Sequence, residues 1–187
     1  MLFRSPVAVK IAHLEGKGGG MDSPIRLAMK GVYQQTNIAL DADLGSFGAL
    51  RSGSQPYPVK VKLISPVVDA SFDGTITKPL DMQGLKGRIA AKGKNLADLH
   101  RLIGLPLALS PPYQLTGELE ESGGAYHLRG FDGKLGSSDM KGDVSVEVER
   151  ERPKLTAKIA SQALDLADIG GFIGAKDEKP QAGKALE

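Results

Sequence analysis

Apolar and polar residues alternate along much of this sequence, with the period of two that is typical of a β-strand and not of a helix. The clearest runs carry apolar or small residues at Val59, Val61 and Leu63, at Leu115, Gly117 and Leu119, and at Val144, Val146 and Val148. Charged or hydroxyl side chains fill the positions between them. Because antiparallel sheets bury one face of such a strand and expose the other, the sequence predicts a mainly β, antiparallel protein.

Further strands and the turns between them follow from the same pattern. The alternation predicts strands at residues 25–32, 36–44, 70–76, 85–92, 125–131 and 154–161. Glycine and proline supply 24 and 11 of the 187 residues, which favours many short elements. Turns are predicted at Asp73-Gly74, at residues 122–124, at Asp132-Gly133 and at residues 136–139.

Two segments break the alternation and have the spacing of short amphipathic helices. Residues 95–103 begin with Asn95 and residues 165–173 begin with Asp165, and both residue types are preferred at helix N-caps. The fold expected is therefore a curved antiparallel sheet of repeating type with two short amphipathic helices.

The two helical segments also indicate an internal repeat. Leu96-Ala97-Asp98 is matched by Leu166-Ala167-Asp168 at an offset of 70 residues, and the preceding strands follow roughly the same offset. Repeating units bury their apolar faces against their neighbours. The predicted organisation is an edge strand with a Gly-rich loop at residues 1–24, one β-repeat at residues 25–110, a second at residues 111–174, and a flexible linker at residues 175–187.

Composition excludes several classes of function. The chain has no cysteine, which rules out disulfides, thiolate metal sites and cysteine nucleophiles. Its net charge is only +2 and the signs alternate, so no basic stripe for nucleic acid is expected. The longest uncharged segment, residues 102–117, contains three prolines and is too short to span a bilayer. We therefore expect no nucleic-acid partner and no membrane helix in this chain.

No residue pattern indicates catalysis, a cofactor or a metal. His13, His100 and His127 are far apart and lack partners at metal-ligand spacing. Ser137 and Ser138 precede Asp139 in a predicted turn and not in a nucleophile elbow. Acidic pairs suited to glycoside hydrolysis exist, but nothing singles one pair out. The sequence predicts a protein that is not an enzyme and needs no cofactor.

The residues from 115 onward resemble a known family. The pattern includes Gly136-Ser137-Ser138-Asp139 after two alternating strands, then Arg152-Pro153, and then Leu164-Asp165-Leu166-Ala167-Asp168. It resembles the AsmA family of Gram-negative bacteria, which is related to the TamB-like repeating β-groove proteins. From Ile25 onward the first half resembles the preceding repeat of the same proteins more weakly.

The resemblance implies a fold and a function. Family members begin with one inner-membrane helix and extend into the periplasm as a long curved β-sheet with an apolar groove. They are similar to bridge-like lipid transfer proteins and are linked to outer-membrane lipid homeostasis. This sequence has no membrane helix and ends in a linker, so we expect a fragment of a longer chain. The implied partners are phospholipid acyl chains, neighbouring repeats of the full-length chain and other envelope proteins.

Three functional hypotheses follow. The first is a periplasmic segment that shelters lipid acyl chains for phospholipid transport between the inner and outer membranes. The candidate lipid-facing residues are Val59, Val61, Leu63, Leu115, Leu119, Val144, Val146, Val148, Leu155, Ala157 and Ile159. The second is a non-enzymatic scaffold that assists outer-membrane protein assembly through an open sheet edge. The third is an enzyme acting on envelope polysaccharide. The alternation itself fits a curled trough and a two-sheet sandwich equally well.

Overall fold

The fold is one curved, unclosed antiparallel sheet of ten strands, arranged in the order of the sequence. It was obtained as a computed structural model, which describes residues 9–53, 56–81, 83–103, 107–148 and 153–173. The predicted mainly β, antiparallel architecture is confirmed. The predicted linker at residues 175–187 lies outside the described residues.

Each strand pairs with the strand before it and the strand after it. The strands are β1 (Val9–Lys17), β2 (Pro24–Tyr33), β3 (Thr36–Ser46), β4 (Tyr57–Ile64), β5 (Asp69–Lys78), β6 (Gln83–Gly93), β7 (Tyr113–Ser122), β8 (Ala125–Leu135), β9 (Ser138–Glu147) and β10 (Lys154–Ala160). Pairing continues from β6 to β7, across the predicted boundary at residue 110. The proposed division into repeats stays a prediction.

The sheet is a single layer. Extensive interstrand contacts join only consecutive strands, and in the ranges that the structure describes no second sheet packs on the first. Of the two packings left open by the alternation, the described residues therefore form an open sheet and not a sandwich. We call the side that carries Val59, Val61 and Leu63 the apolar face and the opposite side the charged face.

Helical structure is scarce, and the two predicted amphipathic helices are not confirmed. Residues 95–103 form a 3-10 turn at Leu96–Leu99 followed by the four-residue helix α2 (His100–Ile103). Residues 165–173 form a turn and then α3 (Gly170–Ile173), which is also four residues long. A further short helix, α1 (Phe47–Ser52), begins after the N-cap Ser46. Segments this short gain too few backbone hydrogen bonds to offset helix nucleation.

The two predicted Asp-Gly turns are wrong, because both glycines lie inside strands. Gly74 is in the middle of β5 and is paired with Gly87 of β6. A Cβ at position 74 would lie 2.6 Å from the Cα of Gly87 and 2.8 Å from Cζ of Phe72. Glycine therefore serves a close approach of two strands beneath a ring, and not a reversal of the chain. Gly133 is likewise inside β8, where a Cβ would collide with the backbone of Gln114.

A tyrosine and a glycine form a corner at two of the connections between strands. Tyr57 opens β4, and its hydroxyl donates a 2.7 Å hydrogen bond to the carbonyl of Gly45 near the end of β3. Tyr113 opens β7 and packs against Gly93, the last residue of β6. Both tyrosines are buried. These corners hold the chain where it leaves the sheet and returns to it.

No helix in the described ranges has the length and apolar character needed to cross a bilayer.

Candidate functional site

The register of the strands places all the candidate apolar residues on one face. One row across the sheet runs through Leu44, Val59, Gly74, Gly87, Leu119, Leu128, Val144 and Ala157, each paired with the next. Side chains two residues apart on a strand share a face. Val61 and Leu63 therefore join Val59, Leu115 joins Leu119, and Val146 and Val148 join Val144. Leu155 and Ile159 flank Ala157 on the same face of β10.

Exposure on the apolar face depends on the position of the strand. The candidates on β4, β7 and β9, together with Val148 just beyond β9, are half-buried by their neighbours. On β10 the side chains are exposed, with Leu155 58% and Ile159 49% exposed. The candidate positions on the apolar face are thus partly open to solvent, and they are most open at the last strand.

Sequence reasoning missed further members of the apolar face on strands it had predicted. They are half-buried, and they include Leu27 and Met29 on β2, Leu40 on β3, Phe72 on β5, Ile89 on β6 and Leu128 on β8. The period-two signal that identified Val61 applies to them as well. The apolar face therefore extends from β2 to β10 without interruption.

A row of alternating charges crosses the charged face. It runs through Arg26, Asp43, Lys60, Asp73, Arg88, Glu118 and Arg129 from β2 to β8, each paired with the next. Three of these neighbouring pairs form ion pairs with N···O distances of 3.1–3.4 Å, namely Arg26–Asp43, Lys60–Asp73 and Arg88–Glu118. Each pair is exposed and stabilises the fold little. Opposite charges at directly paired positions favour this pairing of neighbouring strands over contacts between like charges.

At the predicted Ser-Ser-Asp turn, at one end of the sheet, hydrogen bonds join the β8–β9 connection to a later segment of the chain. Asp168 Oδ2 accepts hydrogen bonds of 2.8–2.9 Å from the backbone N–H and the hydroxyl of both Ser137 and Ser138. The hydroxyl bond from Ser138 is the largest cause of a lowered pKa at Asp168, and the other three bonds act in the same direction. Both hydroxyls donate to the same carboxylate, which joins the β8–β9 turn to the segment after β10.

Asp139, near the start of β9, also holds the segment that follows β10. Its Oδ1 accepts hydrogen bonds from the N–H of Ala163 at 2.6 Å and of Gln162 at 3.0 Å. The bond from Ala163 is the main reason that the pKa of Asp139 is lowered. The chain after β10 is thereby held along the end of the β8–β9 hairpin. The Ser138 and Asp139 side chains of the motif on which the family resemblance rests therefore join two distant segments of the chain.

Within the described part of the chain, no three histidine or acidic side chains are grouped so that they could hold a metal ion. His127 Nδ1 lies 2.9 Å from the hydroxyl of Ser145, a neighbour on β9. His13 Nε2 lies 3.4 Å from Glu15 on the exposed strand β1.

A cavity of about 750 Å³ lies at one end of the sheet, beside the β5–β6 and β7–β8 connections. Its lining combines the polar side chains of Lys78, Gln83 and Glu121 with the ring of Tyr126 and the aliphatic Val148. It is a place where the apolar face meets polar groups.

Comparison with known proteins adds a relative. The AsmA family protein YhjG of Escherichia coli strain K12 is 32% identical to this chain over 158 residues, or 82% of the chain. The chain belongs to the AsmA family. It spans 23% of the length of YhjG. No family model matches this AsmA family chain, and no solved structure matches it either.

Proposed function

We propose that this AsmA family chain is part of an envelope protein that shelters lipid acyl chains on its apolar face, for phospholipid transport between the inner and outer membranes. The observation that carries the proposal is the aliphatic face that runs from β2 to β10, on which no second sheet packs in the described ranges. In a folded protein such a continuous apolar surface indicates an interaction site. Membership of the AsmA family supports the same reading.

The energetics favour acyl chains as the occupant. Exposing a 16-carbon chain to water costs about 12 kcal/mol at about 0.8 kcal/mol per CH₂. Valine, leucine and isoleucine side chains remove much of that cost without fixing the chain in one position. Central positions such as Val61, Ile89 and Leu119 carry no charge and no hydrogen-bonding side chain. A smooth aliphatic surface of this kind suits a ligand that slides.

The dimensions of the sheet are also sufficient. The nine strands from β2 to β10, at a spacing of about 4.8 Å, give an apolar face about 38 Å wide, against about 30 Å for the hydrocarbon core of a whole bilayer. A chain that occupies one leaflet is therefore short compared with the apolar face.

Native mass spectrometry of the purified 187-residue chain after incubation with phospholipid tests the proposal. We expect bound phospholipid on the wild type and its loss in Val144→Asp, which places a charge on the apolar face. Ser145→Asp, one residue along β9 on the charged face, should retain the lipid. Wild type without bound phospholipid, or equal binding by the two variants, would contradict the proposal.

The exposed edge of the sheet favours a second candidate function. Every residue of β10 is exposed, and its outer edge has no strand beside it in the described ranges. A scaffold for outer-membrane protein assembly would add a client strand there. In that case a photocrosslinker on β10 at Thr156 would capture protein, whereas the lipid hypothesis predicts lipid capture at Ala157.

A further inference from the structure

The apolar face becomes polar at the end formed by the β5–β6 and β7–β8 connections. Lys78 lies two residues beyond the buried Ile76, and Glu121 lies two residues beyond Leu119. Both side chains therefore belong to the apolar face by register. Gln83, which is paired with Lys78, completes the polar end.

Glu121 is the unusual residue of this end, because it is a carboxylate only 8% exposed. Its Oε2 accepts a 2.6 Å hydrogen bond from the N–H of Gly84, and its Oε1 accepts a 3.2 Å bond from the N–H of Gly124. A carboxylate accepts about four hydrogen bonds, and the described residues supply two of them to Glu121. No lysine, arginine or histidine of the described ranges forms an ion pair with it.

The cavity of about 750 Å³ provides the space for a ligand next to this carboxylate. The charged residues of its described lining are Lys78, Asp81 and Glu121, whose formal charges sum to −1. The wall formed by Tyr126 and Val148 continues the apolar face, since Tyr126 is paired with Val146. An occupant of this cavity therefore meets an apolar wall and a buried anion together.

We infer that this cavity binds the ammonium group of an amphiphile, with Glu121 as the acceptor and the acyl chain on the apolar face. The inference rests on the proposed function and goes beyond it by naming the head group. A primary ammonium donates three hydrogen bonds and supplies a positive charge to pair with the carboxylate of Glu121. Lys78, at the exposed rim of the cavity, suits a phosphate attached to that amine.

Isothermal titration calorimetry with two lysophospholipids tests the inference. The first is lauroyl lysophosphatidylethanolamine, and the second is the same molecule with its amine acetylated. The acetylated ligand keeps the chain and the phosphate but loses the positive charge. We expect the 187-residue wild-type chain to bind the free amine roughly tenfold more tightly, as charge-assisted hydrogen bonds would give.

Two variants on β7 test whether Glu121 causes the preference for the free amine. Glu121→Gln should bind both ligands with the weaker affinity, whereas Glu118→Gln, on the charged face of the same strand, should keep the wild-type preference. If wild type binds both ligands equally, the head-group inference is wrong and the proposed function stands. If wild type binds neither ligand, both are contradicted. Because the two ligands are compared on wild type, the test holds even if Glu121→Gln does not fold.

Discussion

Tyr57 and Tyr113 occupy the same kind of corner, but their hydroxyl groups differ. The Tyr57 hydroxyl donates to the carbonyl of Gly45, whereas the buried Tyr113 hydroxyl has no hydrogen-bond partner among the residues that the structure describes. Burial is the larger cause, and the charge of Asp98 the smaller, of a pKa at Tyr113 raised to about 12. Because both tyrosines are buried, substituting each with phenylalanine compares the contributions of the two hydroxyl groups.

Replacing each tyrosine with phenylalanine separates the two cases. Tyr57→Phe removes a buried hydrogen bond and should lower the free energy of unfolding by about 1 kcal/mol. Tyr113→Phe removes a buried hydroxyl with no partner and should leave that free energy unchanged or raise it. Urea unfolding monitored by circular dichroism measures both. A larger loss in Tyr113→Phe than in Tyr57→Phe would contradict the assignment of the two corners.

Low pH should weaken the hydrogen bonds that Asp168 accepts from Ser137 and Ser138. Hydrogen bonds from Ser138 and Ser137 favour the ionised carboxylate and lower its pKa below the ordinary value of 3.8. The stabilisation is therefore complete above pH 3.8 and is lost as pH falls through the lower pKa of the folded state.

Thermal unfolding as a function of pH measures this effect. Asp168→Asn should melt below wild type at pH 7, and the difference should shrink as pH falls below 3.8. Asp41→Asn, which alters an exposed carboxylate on β3, is the matched control and should melt like wild type at pH 7. A difference for Asp168→Asn that stays constant down to pH 2 would show that the carboxylate charge plays no part.

At the scale of the elements, strands were predictable and short helices were not. The strand predicted at residues 36–44 is β3 with two residues added at its end, because alternation reports directly which side chains face the sheet. Residues 165–173 carried a cap and apolar spacing, yet Asp168 serves the Ser137–Ser138 turn instead of a helix. Such a long-range hydrogen bond leaves no local signal in the sequence.

Gly74 of β5 and Gly87 of β6 are paired where the two strands approach closely, and a side chain at position 74 should destabilise the sheet. Gly74→Ala forces a Cβ against the Gly87 backbone and the Phe72 ring, and overpacking of this kind costs roughly 1–3 kcal/mol. Gly18→Ala is the control, because a Cβ there meets nothing within 4 Å. Its melting temperature should match wild type. Equal melting temperatures for both variants would contradict the close approach of β5 and β6.

For the whole molecule, the sequence predicted the composition of the candidate face but not that it is uncovered. The period of two placed Val61, Leu119 and Val144 on one side, and the register confirms that they share a face. The same alternation fits a sandwich, because it does not report what lies opposite. Only the pairing of consecutive strands in one layer shows that the face is open in the described ranges.

The charged face has a matching role at this scale. Its row of alternating charges, from Arg26 to Arg129, presents both signs in turn and so no basic stripe. The proposed apolar ligand is therefore expected on the apolar face only.

Photocrosslinking at adjacent positions of β4 tests that central claim most directly. A photoreactive amino acid replaces Val61, on the apolar face, or Lys60, on the charged face, and the 187-residue chain is irradiated with phospholipid vesicles. If lipid binds the apolar face only, we expect phospholipid adducts at position 61 and none above background at position 60. Equal labelling at the two positions, or adducts at position 60 alone, would contradict it.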